Sequence, residues 1–289
     1  MNTQKVMQLY PMPQRELGLE GLYLHSVDAC NREYPLVYTN FITSLDGRIA
    51  IEHPVTGERG VPEFITNPRD WRLYQELAAR ADVLLVSARY LRELARGEAQ
   101  DNLPLSNDPA FADLTQWRTQ QGLSSQPDVV ILSASLDLPL KALSALQDRQ
   151  VFVATGEQAD AKAVRSIECT GAKVLYAGDN RKVDGKRLIE QLVAQGFSSI
   201  YSIAGPGVLE TLLRARVLDR IYLTQVHRLI GGASYDTVFE GRLLSPPADF
   251  KLQTLYYDDR SGKDCGQFFA IYEMTAEKSV QKNPRVSTG

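Results

Sequence analysis

Runs of β-branched and aromatic residues alternate with segments of helical periodicity along most of the chain. The stretch 35–42, PLVYTNFI, is rich in strand formers, and Thr43-Ser44-Leu45-Asp46-Gly47-Arg48 makes a turn before a second short strand at 49–51. Asn67 followed by Pro68 has the form of a helix cap with proline at the first helical position, and predicts a helix running to about Arg80. Its residues Trp71, Tyr74, Leu77 and Ala78 recur at helical spacing, which makes them core-facing. The run 82–87, DVLLVS, is apolar without alternation and so fits a strand covered on both faces. A helix from Ala88 to about Ala95, a polar loop at 97–108 and a helix at 109–120 follow. Beyond them the pattern predicts strands at 128–132, 151–154, 173–176, 199–203 and 220–224, with helices at 158–166, 184–195 and 207–215. The last two strands, near 250–257 and 267–272, flank a turn-rich stretch and form an antiparallel hairpin. The expected fold is α/β: three layers, α/β/α, around a mixed, mainly parallel sheet that ends in an antiparallel hairpin. Residues 1–33, mixing Pro, Gln and charge, read as an extended arm on a domain at 34–274 or as a partly ordered tail, and 275–289 read as a flexible tail.

One junction combines strand, turn and helix signals. At 199–211, SIYSIAGPGVLET, a β-rich run passes through a turn with two glycines into a helical pattern. Gly205 and Gly207 lack the Cβ atoms that would hold a phosphate away, and Pro206 leaves one amide fewer to satisfy. The N–H groups of the first helical turn, with the helix dipole behind them, suit a phosphate or pyrophosphate. Strand-glycine-helix turns also serve packing alone, so on this stretch both explanations stand.

Composition narrows the partners. A net charge of -3 with 23% charged residues argues against nucleic acid or an anionic membrane as the main partner. The first twenty residues have no apolar signal region and no run approaches membrane-spanning length, so the expected location is the cytoplasm. Cys30, Cys169 and Cys265 are scattered without CxxC spacing, which gives neither a disulfide frame nor a metal site. A hydrolase reading has no Gly-x-Ser-x-Gly elbow, and His25, His53 and His227 lie far apart without recognisable partners.

Three motifs in order cover about 35–272: Thr43-Ser44-Leu45-Asp46-Gly47-Arg48; Phe64-Ile65-Thr66, a helix and Ala81-Asp82-Val83-Leu84-Leu85-Val86-Ser87-Ala88; and Ala204-Gly205-Pro206-Gly207 followed by Leu218-Asp219-Arg220 and Leu229-Ile230-Gly231-Gly232. The set resembles the reductase family of riboflavin biosynthesis, whose members have a dihydrofolate-reductase-like fold. The resemblance implies an NADPH-dependent reductase, commonly a homodimer, in which the terminal β-rich segment could pair across a two-fold. It implies cofactor contacts at Thr43, Phe64, Thr66, Ser87, Ala88 and the turn of Gly205, Pro206, Gly207, Val208 and Leu209, whose amides would face the pyrophosphate. Thr66 could instead cap the following helix, although Asn67 is the better cap. Asp46 is a candidate proton donor; the alternative is a side-chain turn that shapes the corner.

Departures fall on the substrate side. Where family members acting on a phosphorylated ribosylaminopyrimidine carry an Arg and a Glu, this chain has Ala78 and Ile203, and of their acidic loop only Leu103-Pro104-Leu105 is hinted at. Loss of an Arg clamp for phosphate and an acid for amino groups leaves two alternatives open beside the riboflavin-type reductase. One is a reductase of the same fold with a non-phosphorylated substrate, and the other is a dinucleotide-binding module without turnover.

Overall fold

The apolar runs become strands and the periodic segments become helices in the computed structural model, which describes residues 5–25, 35–53, 57, 59–97, 105–146, 148–259 and 265–275. The strands before the first helix are β1 (Lys5–Tyr10), β2 (Arg15–Gly18), β3 (Leu36–Ser44), β4 (Arg48–Glu52) and β5 (Arg59–Gly60). The helix α1 (Pro68–Arg80) leads to β6 (Val83–Ser87), α2 (Ala88–Arg96), α3 (Ala112–Gln120), β7 (Asp128–Leu132), α4 (Leu140–Ser144) and β8 (Val151–Thr155). Then come α5 (Ala161–Glu168), β9 (Lys173–Tyr176), α6 (Gly185–Ala194), β10 (Ser199–Ser202), α7 (Pro206–Arg214) and β11 (Arg220–Val226). The chain closes with β12 (Tyr235–Thr237), β13 (Phe250–Asp258) and β14 (Gln267–Met274). The expected tail beyond Thr275, the Leu103-Pro104 hint and the tip of the terminal hairpin lie outside the described residues.

An 11-stranded sheet carries the fold, in the order β2-β1-β13-β14-β11-β3-β10-β6-β7-β8-β9. From β11 to β9 every pairing is parallel, and from β2 to β11 every pairing is antiparallel. The mixed, mainly parallel α/β sheet expected from the pattern is therefore present. One side-chain cluster packs α1 to α5 on one face, and a second packs α6 and α7 on the other. Alternate residues of a central strand serve the two clusters, as Val83 and Leu85 against Leu84 and Val86 show. No helix among the described residues is long and apolar enough to cross a membrane.

Two expectations change. Residues 5–18 are a hairpin hydrogen-bonded to β13, so this part of the N-terminal region extends the sheet rather than lying on it. That hairpin and β11 occupy both flanks of β13–β14, so the terminal hairpin offers no open strand for pairing across a two-fold. A small second sheet, β12-β4-β5, was also not foreseen.

Helix α1 begins where the sequence places it, because the Asn67 side chain accepts from the amides of Arg69 (3.1 Å) and Asp70 (3.0 Å). From Arg72 onward it is buried on nearly every side, polar residues included. Glu76 explains this: its carboxylate accepts from the amides of Gly21 (2.6 Å), Tyr23 (2.8 Å) and Leu24 (3.3 Å) and from Arg72 Nε (2.9 Å). Burial raises the Glu76 pKa, against the lowering by these donors. At the other end the buried Arg118 of α3 donates to the carbonyls of Ala79 (2.8 Å) and Ala81 (2.7 Å), groups that the last turn leaves open.

Glu76→Ala would strand three amides and leave Arg72 to Asp113 alone, and is expected to cost roughly 3–5 kcal/mol, by analogy with breaking a buried ion pair. Urea unfolding checks this: an unchanged midpoint would show that the 21–24 segment is held by something else.

Candidate active site at the carboxyl ends of the parallel strands

Because β3, β6, β7, β8, β10 and β11 run the same way, their carboxyl ends lie along one edge of the sheet, where such folds form their ligand crevice. In register, Ser202 of β10 stands between Thr39 of β3 and Leu85 of β6. The loops after these strands hold nearly all the residues singled out in the sequence. They are the 44–47 turn, Ser87-Ala88 and the glycine turn; Phe64 and Thr66 arrive from the loop before α1.

The glycine turn begins α7. Gly205 is its N-cap in extended conformation, Pro206 takes the first helical position, and no side chain caps the amides. Val208 N–H donates to Gly205 O (3.1 Å), as does Leu209 N–H at 3.4 Å, and both side chains are buried. The five-residue amide cradle expected from the sequence therefore narrows to the amides of Gly205 and Gly207, with Pro206 between them. Both glycines are exposed, and a Cβ built on either meets no atom within 4 Å. Other glycines differ: a Cβ would come to 1.8 Å from the Asn180 carbonyl at Gly156 and 2.1 Å from the Lys182 carbonyl at Gly178. Those glycines answer to the protein's own packing. At 205 and 207 neither internal packing nor a positive φ calls for glycine, and the backbone is left open on that side.

The remaining expected contacts are placed less evenly. Ser87 is half-buried and its hydroxyl accepts from Tyr90 N–H (3.3 Å), capping α2, while Ala88 is packed in the core. Thr43 is buried, its hydroxyl donating to Ser44 O (3.0 Å). Thr43 and Ala88 can thus offer a ligand little beyond backbone. The Thr66 hydroxyl donates to Glu63 O (3.0 Å) within its own loop, so it is not the helix cap. Phe64 is exposed, and its carbonyl accepts from Arg228 (2.9 Å), while Leu45 N–H donates to Arg228 O (2.8 Å). These bonds join three loops into one lip carrying the exposed side chains of Leu45, Phe64 and Leu229.

Asp46 locks that lip. Its carboxylate accepts from Ser44 Oγ, from Arg48, and from the amides of Gly231 (2.9 Å) and Ile230 (3.3 Å). The Ser44 bond first, then the two amides and the Arg48 charge, outweigh partial desolvation and hold the pKa down to about 2. A group ionised at neutral pH and bonded within its own corner fits the turn-shaping alternative for Asp46.

On the other sheet face the structure assembles groups that the sequence reading did not single out as a site. Tyr201 of β10 donates its hydroxyl to Asn40 Oδ1. Asp70 stands in the first turn of α1, where burial pushes its pKa up to about 6 against a lowering by Thr224 of β11. Ala78 is buried and Ile203 partly buried, so the two uncharged positions remain uncharged in space. Arg80 does not substitute, since its guanidinium donates to Tyr23 O (2.6 Å).

These features define an α/β protein whose parallel strands bring their carboxyl ends to one edge of the sheet. The sequence matches the model of the RibD C-terminal domain over residues 35–259, and the chain belongs to that family. Among solved structures, it is similar to a pyrimidine reductase-like protein from Corynebacterium diphtheriae, with a TM-score of 0.68, 18% identity, and coverage of 90% of this chain and 100% of that one. RibD from Acinetobacter baumannii superposes with a TM-score of 0.58 at 18% identity over 86% of this chain, which spans only 60% of that protein. The riboflavin biosynthesis reductase Rib7 of Saccharomyces cerevisiae gives a TM-score of 0.51 at 16% identity, covering 87% of this chain and 94% of that one. No curated protein matches by sequence. The family resemblance carried by the three motifs is borne out.

Asp46→Ala is expected to raise amide exchange at Ile230 and Gly231 while leaving the sheet protected. Because the folded pKa is depressed, the wild-type brace is complete above about pH 4 and is released as pH falls toward 2. Exchange at these two amides equal to wild type would show that the lip is held by its other bonds.

Proposed function

We propose that the chain is a reductase that binds a nicotinamide dinucleotide, NADPH in the family reading, and reduces a small planar nitrogen heterocycle or a sugar-derived carbonyl. One observation carries this reading: the exposed glycines at 205 and 207, which nothing inside the protein requires. Together with the amino end of α7 they offer two amides and a positive dipole to a diphosphate. When bound, the dihydronicotinamide supplies a hydride to an electrophilic C=O or C=N carbon. The chain's own contribution is placement. Gly205 to Gly207 hold the diphosphate, Ser87 and the backbone at Thr43 border the path across the strand ends, and the lip of Leu45, Phe64 and Leu229 limits water. No side chain is needed as nucleophile. The riboflavin-type reaction, on 5-amino-6-(5-phosphoribosylamino)uracil as in the bifunctional protein of Thermotoga maritima, is the version named by a structural relative. A cytoplasmic homodimer is the location and assembly that this reading carries with it.

The uncharged Ala78 and Ile203 favour two variants of the same reading, a different substrate without phosphate or a dinucleotide-binding module without turnover. Titration with NADPH and NADH, followed by incubation of the NADPH complex with the phosphorylated pyrimidine, separates them. Binding with oxidation supports the riboflavin-type version, whereas binding without oxidation leaves the variants.

Gly207→Ala gives a sharper test. Since its Cβ has open space, the substitution is expected to leave the fold intact or stabilise it by up to about 1 kcal/mol, as alanine does in a helix. A bulkier Gly207→Leu is expected to weaken dinucleotide binding at least about tenfold, or about 1.4 kcal/mol. Unchanged affinity in the leucine variant would move the cofactor site elsewhere.

A further inference from the structure

Helix α7 buries Val208, Leu209, Leu212 and Leu213 against the sheet, which turns Glu210, Thr211 and Arg214 outward. These three floor a groove of about 580 Å³, walled by the start of α6 at Lys182 to Gly185 and by the loop at Gly241 and Arg242. The groove shares no residue with the glycine turn, the 44–47 corner or the lip. Two glycines set its shape. A Cβ on Gly185 would come within 2.7 Å of Thr211 O and 2.8 Å of Ala215 Cβ, so only glycine lets α6 begin this close to α7. Gly241 has a φ of +130°, and a Cβ there would lie 2.6 Å from the Glu210 carboxyl. The acids of the groove are already engaged. Glu210 accepts from Arg214 Nε (2.8 Å), and Arg214 first, then the Arg242 amide and the Lys182 charge, hold its pKa down. Asp184 caps α6, accepting from Arg187 N–H (3.0 Å). Arg214 also donates to Arg242 O (2.5 Å), which fastens the loop to the helix. Two cations are left over. The side chains of Lys182 and Arg242 are exposed, and among the described residues neither donates a hydrogen bond or forms an ion pair.

We propose that this groove is a second ligand site, separate from the crevice, and that it takes a small organic phosphate whose dianion is received by Lys182 and Arg242. The donor inventory decides the sign of the ligand. A cationic ligand would find Glu210 and Asp184 already bonded within the protein, whereas an anion finds a guanidinium fork and an ammonium with nothing to donate to. Phosphate is the anion that both groups suit, the guanidinium by its paired N–H groups and the ammonium as a point charge. Size points to more than the bare ion. The volume lies within the range of roughly 300–1,000 Å³ that small-molecule clefts occupy, which leaves space for a sugar or ring attached to the phosphate. Thr211 and Ala215 give that body a small, uncharged surface to rest on. The assignment stands on the groove alone and does not depend on the reductase reading.

Titration calorimetry on the full chain at low salt, with ribose 5-phosphate and phenyl phosphate as probes and ribose as the uncharged control, tests this. Phosphate-bearing probes are expected to bind and ribose is not; the tighter of the two phosphates tells whether the site prefers a sugar or an aromatic carrier. The double variant Lys182→Ala, Arg242→Ala should weaken probe binding at least about tenfold. Its melting temperature should stay at the wild-type value, because both side chains are exposed and bond to nothing described. Added salt should weaken wild-type binding further than it weakens that of the double variant, since exposed charges are screened. In amide NMR spectra of the wild type, the probe should move the resonances of Gly185, Thr211 and Gly241. Equal affinity in wild type and double variant, no binding of either phosphate, or shifts confined to the glycine turn and the lip would overturn the proposal. A failure to bind any dinucleotide would defeat the reductase reading instead, and would leave these outcomes as they are.

Discussion

A carboxylate taken out of water must be surrounded by donors, and Glu76 meets that requirement by drawing the 21–24 segment onto α1. The consequence reaches well beyond one side chain. Arg72 is held between Glu76 and Asp113, which ties α1 to α3, and Arg118 returns from α3 to close the far end of α1. At the near end, Asn67 Nδ2 donates to Gln267 Oε1 (2.8 Å), Gln267 donates to Asp258 (2.8 Å), and Arg69 donates to the same Asp258 (2.7 Å). The helix is thereby fixed at its flank and at both ends to four separate parts of the chain.

The two halves of the sheet have different duties. The parallel half brings the carboxyl ends of seven strands to one edge, and the glycine turn, the α2 cap and the 44–47 corner all occur there. The antiparallel half makes no such edge, but β13 and β14 supply Asp258 and Gln267, which anchor α1 from behind. The position of α1 therefore depends on the antiparallel strands, whereas the glycine turn follows from the parallel strands.

Much of this was legible in the residues. The Asn67-Pro68 start, the DVLLVS strand and the glycine turn are local signals, and the chain obeys them to within a residue or two. Helix α5 starts at Ala161 rather than 158 because Asp160 caps it, accepting from Ala163 N–H (2.8 Å). The N-terminal strands were missed because Pro and Gln interrupt the apolar pattern and their partner, β13, is at the opposite end of the chain. The narrowing of the glycine cradle to two amides follows from helix bonds that begin at Gly205 O, which no residue pattern displays.

The sheet's outermost strands have a bearing on how copies of the protein could meet. Its two flanks are β2 and β9, each four residues long, and they carry Arg15, Glu16 and Lys173. Short, charged borders are poor templates for a further strand, so the long hydrogen-bonded array stops growing at the limits of one molecule. A twofold partner that respects these borders would pack against a face of the molecule rather than continue the sheet.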